Sequence, residues 1–255
     1  FAFDAFVLVD GMKGDLDWLC DSASKDEGRP NLNGVYVDLN GGIVNMVSTD
    51  GHRLGWIEAV NEVDSCDQAA IIHRKAISAA IKAVGKKGNL GAMQISKKLV
   101  RFTGLPNVAF NAIIELEYPL YRKVIPSGFK FEATFDRAAL AEFCKRAKKI
   151  AGKDREGSPR LYFRFHNGGC EVYCFDGNHE RFSCELPCAH NYNGGFDDCN
   201  VPVDFTICYN VNYVIDALAG FANDTVTLKI MGEASASVMV GVTEKPMVVL
   251  MPISI

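Results

Sequence analysis

Hydrophobic and polar positions along the chain follow two periods, one near 3.6 residues and one of 2, and these recur in a fixed order four times. The first repeat opens with Phe1, Phe3, Phe6 and Leu8, and then places Met12, Leu16, Leu19, Cys20 and Ala23 at helical spacing. Alternation predicts strands over 32–39, 43–48 and 54–60, with Asn40-Gly41-Gly42 as the first turn. The second repeat begins at Ala69-Ala70-Ile71-Ile72. Its helix carries Ile77, Ala80, Ile81 and Val84 on one face and ends at Gly85 or Gly88. Strands over 92–96, 99–103 and 108–116 complete it, and 117–129, with two prolines and a glycine, reads as a linker.

The third repeat starts at Phe131, Ala133 and Phe135, and Asp136 is a good N-cap for a helix whose inner face is Leu140, Phe143, Cys144, Ala147 and Ala151. Strands follow over 161–165, 171–175 and 180–185, then a Gly- and Asn-rich loop over 189–200. The fourth repeat has a strand at 205–209, a helix lined by Val211, Val214, Ile215 and Leu218, and strands over 226–230, 235–242 and 247–251. Repeats starting near 1, 68, 129 and 204 are about sixty residues long, longer than solenoid units. Two of them make one domain of two helices backed by antiparallel sheets, an α+β architecture, with boundaries at 1–122 and 123–255.

Composition narrows the function classes. With 48% apolar residues in 255, the chain can bury a sizeable core. No run of eighteen apolar residues exists to span a membrane, and Phe1-Ala2-Phe3-Asp4 lacks the basic start of a signal peptide. Nine cysteines, an odd number, read as thiols in a reducing cytoplasm rather than a disulfide framework. A net charge of −4 argues against nucleic-acid binding by bulk charge, so any DNA contact must come from local clusters.

One stretch does more than punctuate: Val47-Ser48-Thr49-Asp50-Gly51-His52-Arg53-Leu54, between two alternating strands. Asp-Gly signals a two-residue hairpin. Together with Arg29-Pro30-Asn31-Leu32-Asn33-Gly34-Val35 before it, the stretch resembles the middle domain of the bacterial sliding clamps, the processivity (beta) subunit of DNA polymerase III. Two further stretches resemble the same family in the same order, Tyr118-Pro119-Leu120-Tyr121-Arg122-Lys123-Val124-Ile125-Pro126 and Val248-Val249-Leu250-Met251-Pro252-Ile253-Ser254-Ile255. The resemblance covers essentially the whole chain and implies the DNA-clamp fold, with middle and C-terminal domains.

Three kinds of chemistry compete for the polar residues. Asp50, His52 and Arg53 could be an acid, a base and an anion clamp, but no nucleophile motif or phosphate loop accompanies them, so no catalytic residue is assigned. His166, Cys170, Cys174, His179, Cys184, Cys188, His190 and Cys199 crowd one quarter of the chain, and two C-x₃-C spacings fall in the zinc window. Cys170, Val172 and Cys174 alternate along a strand, however, so the thiols read as core groups; no metal and no cofactor is expected. The third kind is binding.

What the resemblance implies is a peptide groove and a DNA channel. The groove would take Leu32, Thr49, Gly51, His52, Arg53 and Leu54 as one wall, Pro119, Lys123 and Val124 from the linker, and Ser237, Val249, Leu250, Met251, Pro252 and Ile253 from the last strands. Without the matched stretches, Leu32, Leu54, Val124 and Met251 would read as ordinary core. Departures from the family pattern are Lys123 for the usual arginine, Ser254 for a basic residue, and a segment at 153–158 without an aromatic. The DNA-facing candidates are Arg74, Lys75 and Lys82 on one helix and Arg137, Lys145, Arg146, Lys148 and Lys149 on another, against a reading as solvated faces. Asp15, Asp17, Asp21 and Asp216 make the other two helices acidic.

The resemblance also implies partners: encircled double-stranded DNA, a replicative polymerase and other peptide-bearing factors, an ATP-driven clamp loader, and further copies of the chain. Two domains per chain would close a six-domain ring as a homotrimer; a longer chain would close it as a homodimer. The joint is expected to use the outer strand over 108–116. The competing expectation is a non-catalytic or zinc-stabilised protein that reuses the fold.

Overall fold

The four repeats pair off by exchanging their first strands. In the computed structural model, which describes residues 3–61, 67–152, 158–192 and 204–255, two compact units result, Phe1–Tyr121 and Arg122–Ile255. Phe1, most of the segment at 153–158, Cys199 and most of the 189–200 loop lie outside the described residues.

The first unit holds β1 (Ala5–Leu8), α1 (Lys13–Ser22), β2 (Gly34–Asn40), β3 (Ile43–Thr49), β4 (Arg53–Val60), β5 (Gln68–His73), α2 (Arg74–Val84), β6 (Ala92–Ile95), β7 (Leu99–Phe102), β8 (Ala109–Asn111) and β9 (Ile113–Ile114). Strand β1 leaves its own repeat and pairs with β6, giving the sheet β1-β6-β7-β8. In return β5 pairs with β2, giving the order β4-β3-β2-β5-β9. All pairings are antiparallel. Period-2 alternation decides which side is covered: Val35, Val37, Val44 and Met46 point inward and are buried, as are Leu16 and Leu19 of α1 and Ile77 and Ala80 of α2. Each such aliphatic side chain contributes about 1.5–3 kcal/mol. Gly55 is where α1 comes closest to β4, since a Cβ there would lie 3.1 Å from the Trp18 ring.

The second unit repeats this plan with β10 (Phe131–Asp136), α3 (Arg137–Ile150), β11 (Arg160–His166), β12 (Gly169–Phe175), β13 (Arg181–Leu186), β14 (Cys188–Tyr192), β15 (Asp204–Asn210), α4 (Val211–Ala219), β16 (Thr225–Ile230), β17 (Ser237–Val240) and β18 (Met247–Leu250). Here β15 joins β11, giving β13-β12-β11-β15, and β10 joins β16, giving β14-β10-β16-β17-β18. Asp136 caps α3 as its side chain predicts, accepting from the Ala139 N–H at 2.7 Å.

The structure corrects the sequence reading at four places. The strand over 108–116 is two strands: β8 pairs with β7, the chain turns at Ala112, whose carbonyl accepts the His73 N–H, and β9 pairs with β5. The predicted loop at 189–200 begins as strand β14, which pairs with β10 after Pro187 interrupts the β13 ladder. The strand over 235–242 shrinks to Ser237–Val240. The linker at 117–129 is packed at its start, because Tyr118 and Tyr121 are buried against Tyr36 and Trp56. Alternation fixes which face a residue takes but not which neighbouring strand it pairs with, and that freedom accounts for the first two differences.

Candidate functional site

The 49–54 turn is longer than the Asp-Gly pair suggests. Thr49 pairs with Leu54, which leaves Asp50, Gly51, His52 and Arg53, the first residue of β4, beyond the last paired positions. Side chains build it. The Asp50 carboxylate accepts the N–H groups of His52 (2.9 Å) and Arg53 (3.1 Å) through one oxygen and meets the Arg53 Nε at 3.2 Å through the other. Thr49 donates its hydroxyl to the Arg53 carbonyl at 2.6 Å and accepts the Gly51 N–H at 3.1 Å. Gly51 sits at φ +94°, a region costly for any side chain. Arg53 also donates to the Asp21 carbonyl at 2.7 Å, tying the turn to α1. The Asp50–Arg53 pair is largely withdrawn from solvent, at 17% and 9% side-chain exposure, while Gly51 and His52 stay exposed at the tip.

A residue absent from the candidate set borders this tip. The Arg29 guanidinium lies 2.8 Å from where a Gly51 Cβ would stand, and Asp26 holds it through a 3.0 Å pair to its Nε. The Gly28 N–H and Arg29 together hold the Asp26 carboxyl below its ordinary range. Arg29 lies in the stretch quoted for the resemblance; its contact is a product of the loop closing on itself, which spacing does not reveal. Leu32 ends the short 3₁₀ turn Pro30–Leu32 and, like Leu54, is buried. Pro119 is exposed.

The second unit's candidates divide by exposure. Lys123, Val124 and Met251 are exposed, and Pro252 and Ile253 are half-buried. Val249, Leu250 and Ser237 are buried, and the Ser237 hydroxyl oxygen accepts from the fully buried Tyr209 hydroxyl at 2.6 Å. These three can shape a wall from behind but have no free surface. The segment after β18 is held by the Ile253 N–H donating to the Cys208 carbonyl (2.8 Å) and by Arg160 donating to the Ser254 carbonyl (3.1 Å).

The basic candidates divide in the same way. Lys75 and Lys82 on α2 and Lys145, Arg146, Lys148 and Lys149 on α3 are exposed. Arg137 is turned inward, its Nε donating to the Asn223 carbonyl at 2.6 Å, and the Arg74 Nε is likewise buried. Arg146 also lies over the Phe182 ring at 5.5 Å. His73 caps α2 by accepting the Lys75 N–H at 3.1 Å, and burial, then Lys75 and Arg74, push its pKa down. Lys13 of α1 closes the other end, donating to the carbonyls of Gly85, Lys86 and Gly88 at 2.8–3.0 Å.

The cysteine-rich quarter divides: Cys184 is exposed and Cys188 half-buried, while two thiols lie in the core. Cys170 and Cys174 are fully buried beside Val172, and burial raises the pKa of both thiols. Cys144 on α3, buried beside them, is pushed up to about 12 by the same cause. Among the described residues no three metal-ligating side chains converge.

Residues 16–120 match the family described as the DNA polymerase III beta subunit, central domain. The beta sliding clamp of Pseudomonas aeruginosa is 24% identical over 213 residues, 83% of this chain and 54% of that protein. That of Rickettsia bellii is 25% identical over 240 residues, 92% and 62% of the two chains. Among solved structures, the DNA polymerase III beta chain of Streptococcus pneumoniae superposes with a TM-score of 0.85 at 19% identity, covering all of this chain and 66% of its own. The Bacillus subtilis DNA polymerase sliding clamp does so at 0.85 and 17% identity, covering 98% and 64%. The chain thus spans roughly half to two thirds of the relatives it matches.

Proposed function

We propose that this chain, which has the sliding-clamp fold and whose residues 16–120 match the beta-subunit central domain, acts as a DNA sliding clamp. In this reading each unit is one clamp domain, and the chain tethers replication proteins without chemistry of its own. The observation that carries it is the 49–54 turn. A network of side-chain hydrogen bonds holds Gly51 and His52 out to solvent on a rigid frame, the form expected of a preorganised binding wall.

The partners in this reading are short peptides of a replicative polymerase and related factors, with aliphatic and aromatic anchors. One such contact at micromolar strength is worth about 8 kcal/mol. It suffices because the clamp and its client share one DNA molecule, which raises their effective concentration. The exposed lysines of α2 and α3 would face encircled duplex phosphates without reading bases. A loader driven by ATP would open the ring, and the setting would be the cytoplasm; no described helix is long and apolar enough to cross a membrane.

Closure would be head-to-tail, by three copies of a two-unit chain or two copies of a longer one. Anisotropy with a labelled peptide bearing spaced Leu and Phe tests the groove. Met251→Ala and His52→Ala should each weaken binding by roughly 1–2 kcal/mol, and unchanged affinity in both would place the groove elsewhere. Light scattering tests closure: a stable trimer supports the two-unit ring, and a monomer at every concentration excludes it.

A further inference from the structure

The outward face of the sheet β4-β3-β2-β5-β9 carries features that neither groove nor channel uses. Above β2, β5 and β9 lies a cavity of about 510 Å³, lined among others by Tyr36, Ala69, Ile71, Ile114, Leu116 and Leu120. Ile71 is its buried floor. One wall is rigid, because the Tyr36 and Tyr118 rings stack 4.6 Å apart and nearly parallel. The rim is apolar yet solvent-facing, with Leu116 52% and Leu120 64% exposed. Exposed aliphatic pairs beside a preformed cavity mark surfaces that bind.

The charges along its strands share one sign, although exposed Arg122 and Lys123 follow Leu120 in the chain. Along the outward rows of these strands the acidic residues are Asp38, across from Ala69, and Glu58, across from Asn45. Glu115 and Glu117 flank Leu116 on the rim and are exposed. Among the described residues none of these four carboxylates makes an ion pair. No Lys or Arg shares their rows, since Arg53 points to the opposite face, toward α1. Lys98, in the turn before β7, approaches β9 and meets it through its carbonyl. His73, at the far end of β5, is biased toward the neutral form.

We propose that this face is a second peptide-docking site, taking a segment of a partner protein in which aliphatic side chains are flanked by lysine or arginine. The cavity accepts the aliphatic anchor. The unpaired carboxylates complement the flanking cations and set register and on-rate. The site shares no residue with the candidate groove, but Ile114 and Leu116 fall in the 108–116 stretch expected at a ring joint, so the probe is tested on the chain before ring closure.

The probe is fluorescein-labelled Lys-Lys-Leu-Leu-Lys-Lys, titrated by anisotropy against the whole chain at low and physiological salt. Binding should weaken with salt. It should weaken about fivefold or more in Glu115→Gln/Glu117→Gln, and by a similar factor in Leu120→Ser. Both variants alter exposed side chains, and unchanged thermal unfolding verifies their fold. A Lys-Lys-Ser-Ser-Lys-Lys control should bind at least about tenfold more weakly. An unlabelled groove peptide with Leu and Phe anchors should not displace the probe. Equal binding of the serine control, parent-like affinity in both variants, or displacement by the groove peptide would each overturn the proposal. So would self-association that Leu120→Ser abolishes, because the occupant would then be a second copy.

Discussion

Two segments contribute candidate groove residues, and they are held by different physics. The 49–54 turn is fixed by side chains: Asp50 satisfies two backbone donors and Arg53, and Arg53 reaches α1. The segment after β18 is held through carbonyl acceptors instead, the Ile253 N–H donating to the Cys208 carbonyl and Arg160 to the Ser254 carbonyl. The first is a frame whose loss propagates into the fold. The second lies beyond the β18 ladder, which ends at Leu250. Met251, soft and 44% exposed, sits on the second segment.

The comparison breaks if the turn proves dispensable. Asp50→Ala leaves Arg53 without its carboxylate and two turn N–H groups without an acceptor. Unfolding by urea should show a loss of about 2–4 kcal/mol. Gly51→Ala should cost less, about 1–2 kcal/mol, because the strain at positive φ is added to a contact with a guanidinium that can move. On the other side, Arg160→Ala should change global stability by under about 0.5 kcal/mol. It should nonetheless speed hydrogen exchange at the Ile253 amide, and if exchange there stays as slow as in β18, the segment is not the looser element.

A pH series separates these local ties from the cores of the two units. Cys20 in the first unit and Cys144 in the second are both pushed up to about 12 by burial, from an ordinary value of 9.0. Above pH 9 the unfolded chain releases these protons while the folded chain keeps them. Stability from both thiols is therefore fully present below that pH and falls as pH rises toward 12. Iodoacetamide at pH about 8 should label exposed Cys184 and leave both buried thiols intact, a modification that mass spectrometry resolves.

Much of this was legible in the sequence, for reasons particular residues make plain. The inner faces of the helices, the Asp136 cap and the burial of Cys170, Val172 and Cys174 depend on local period and were readable. The turn was locatable but not its length, because the Asp50 side chain replaces the backbone bonds a two-residue hairpin would need. What escaped depends on partners far along the chain. Lys13 caps α2 across more than seventy positions, Tyr209 donates to the Ser237 hydroxyl, and Asn223 draws in Arg137. The basic stripe on α3 was visible as a pattern; that its first arginine faces inward was not.

The central claim is topological, and retention on DNA tests it most directly. The chain is loaded onto a nicked circular duplex with a clamp loader and ATP, the complex is isolated, and bound protein is measured before and after a single restriction cut. A ring should stay on the circle and leave once an end exists, with salt affecting the circle-bound fraction little. Equal retention on circular and linearised DNA, or loss from both at the same rate, would contradict the account.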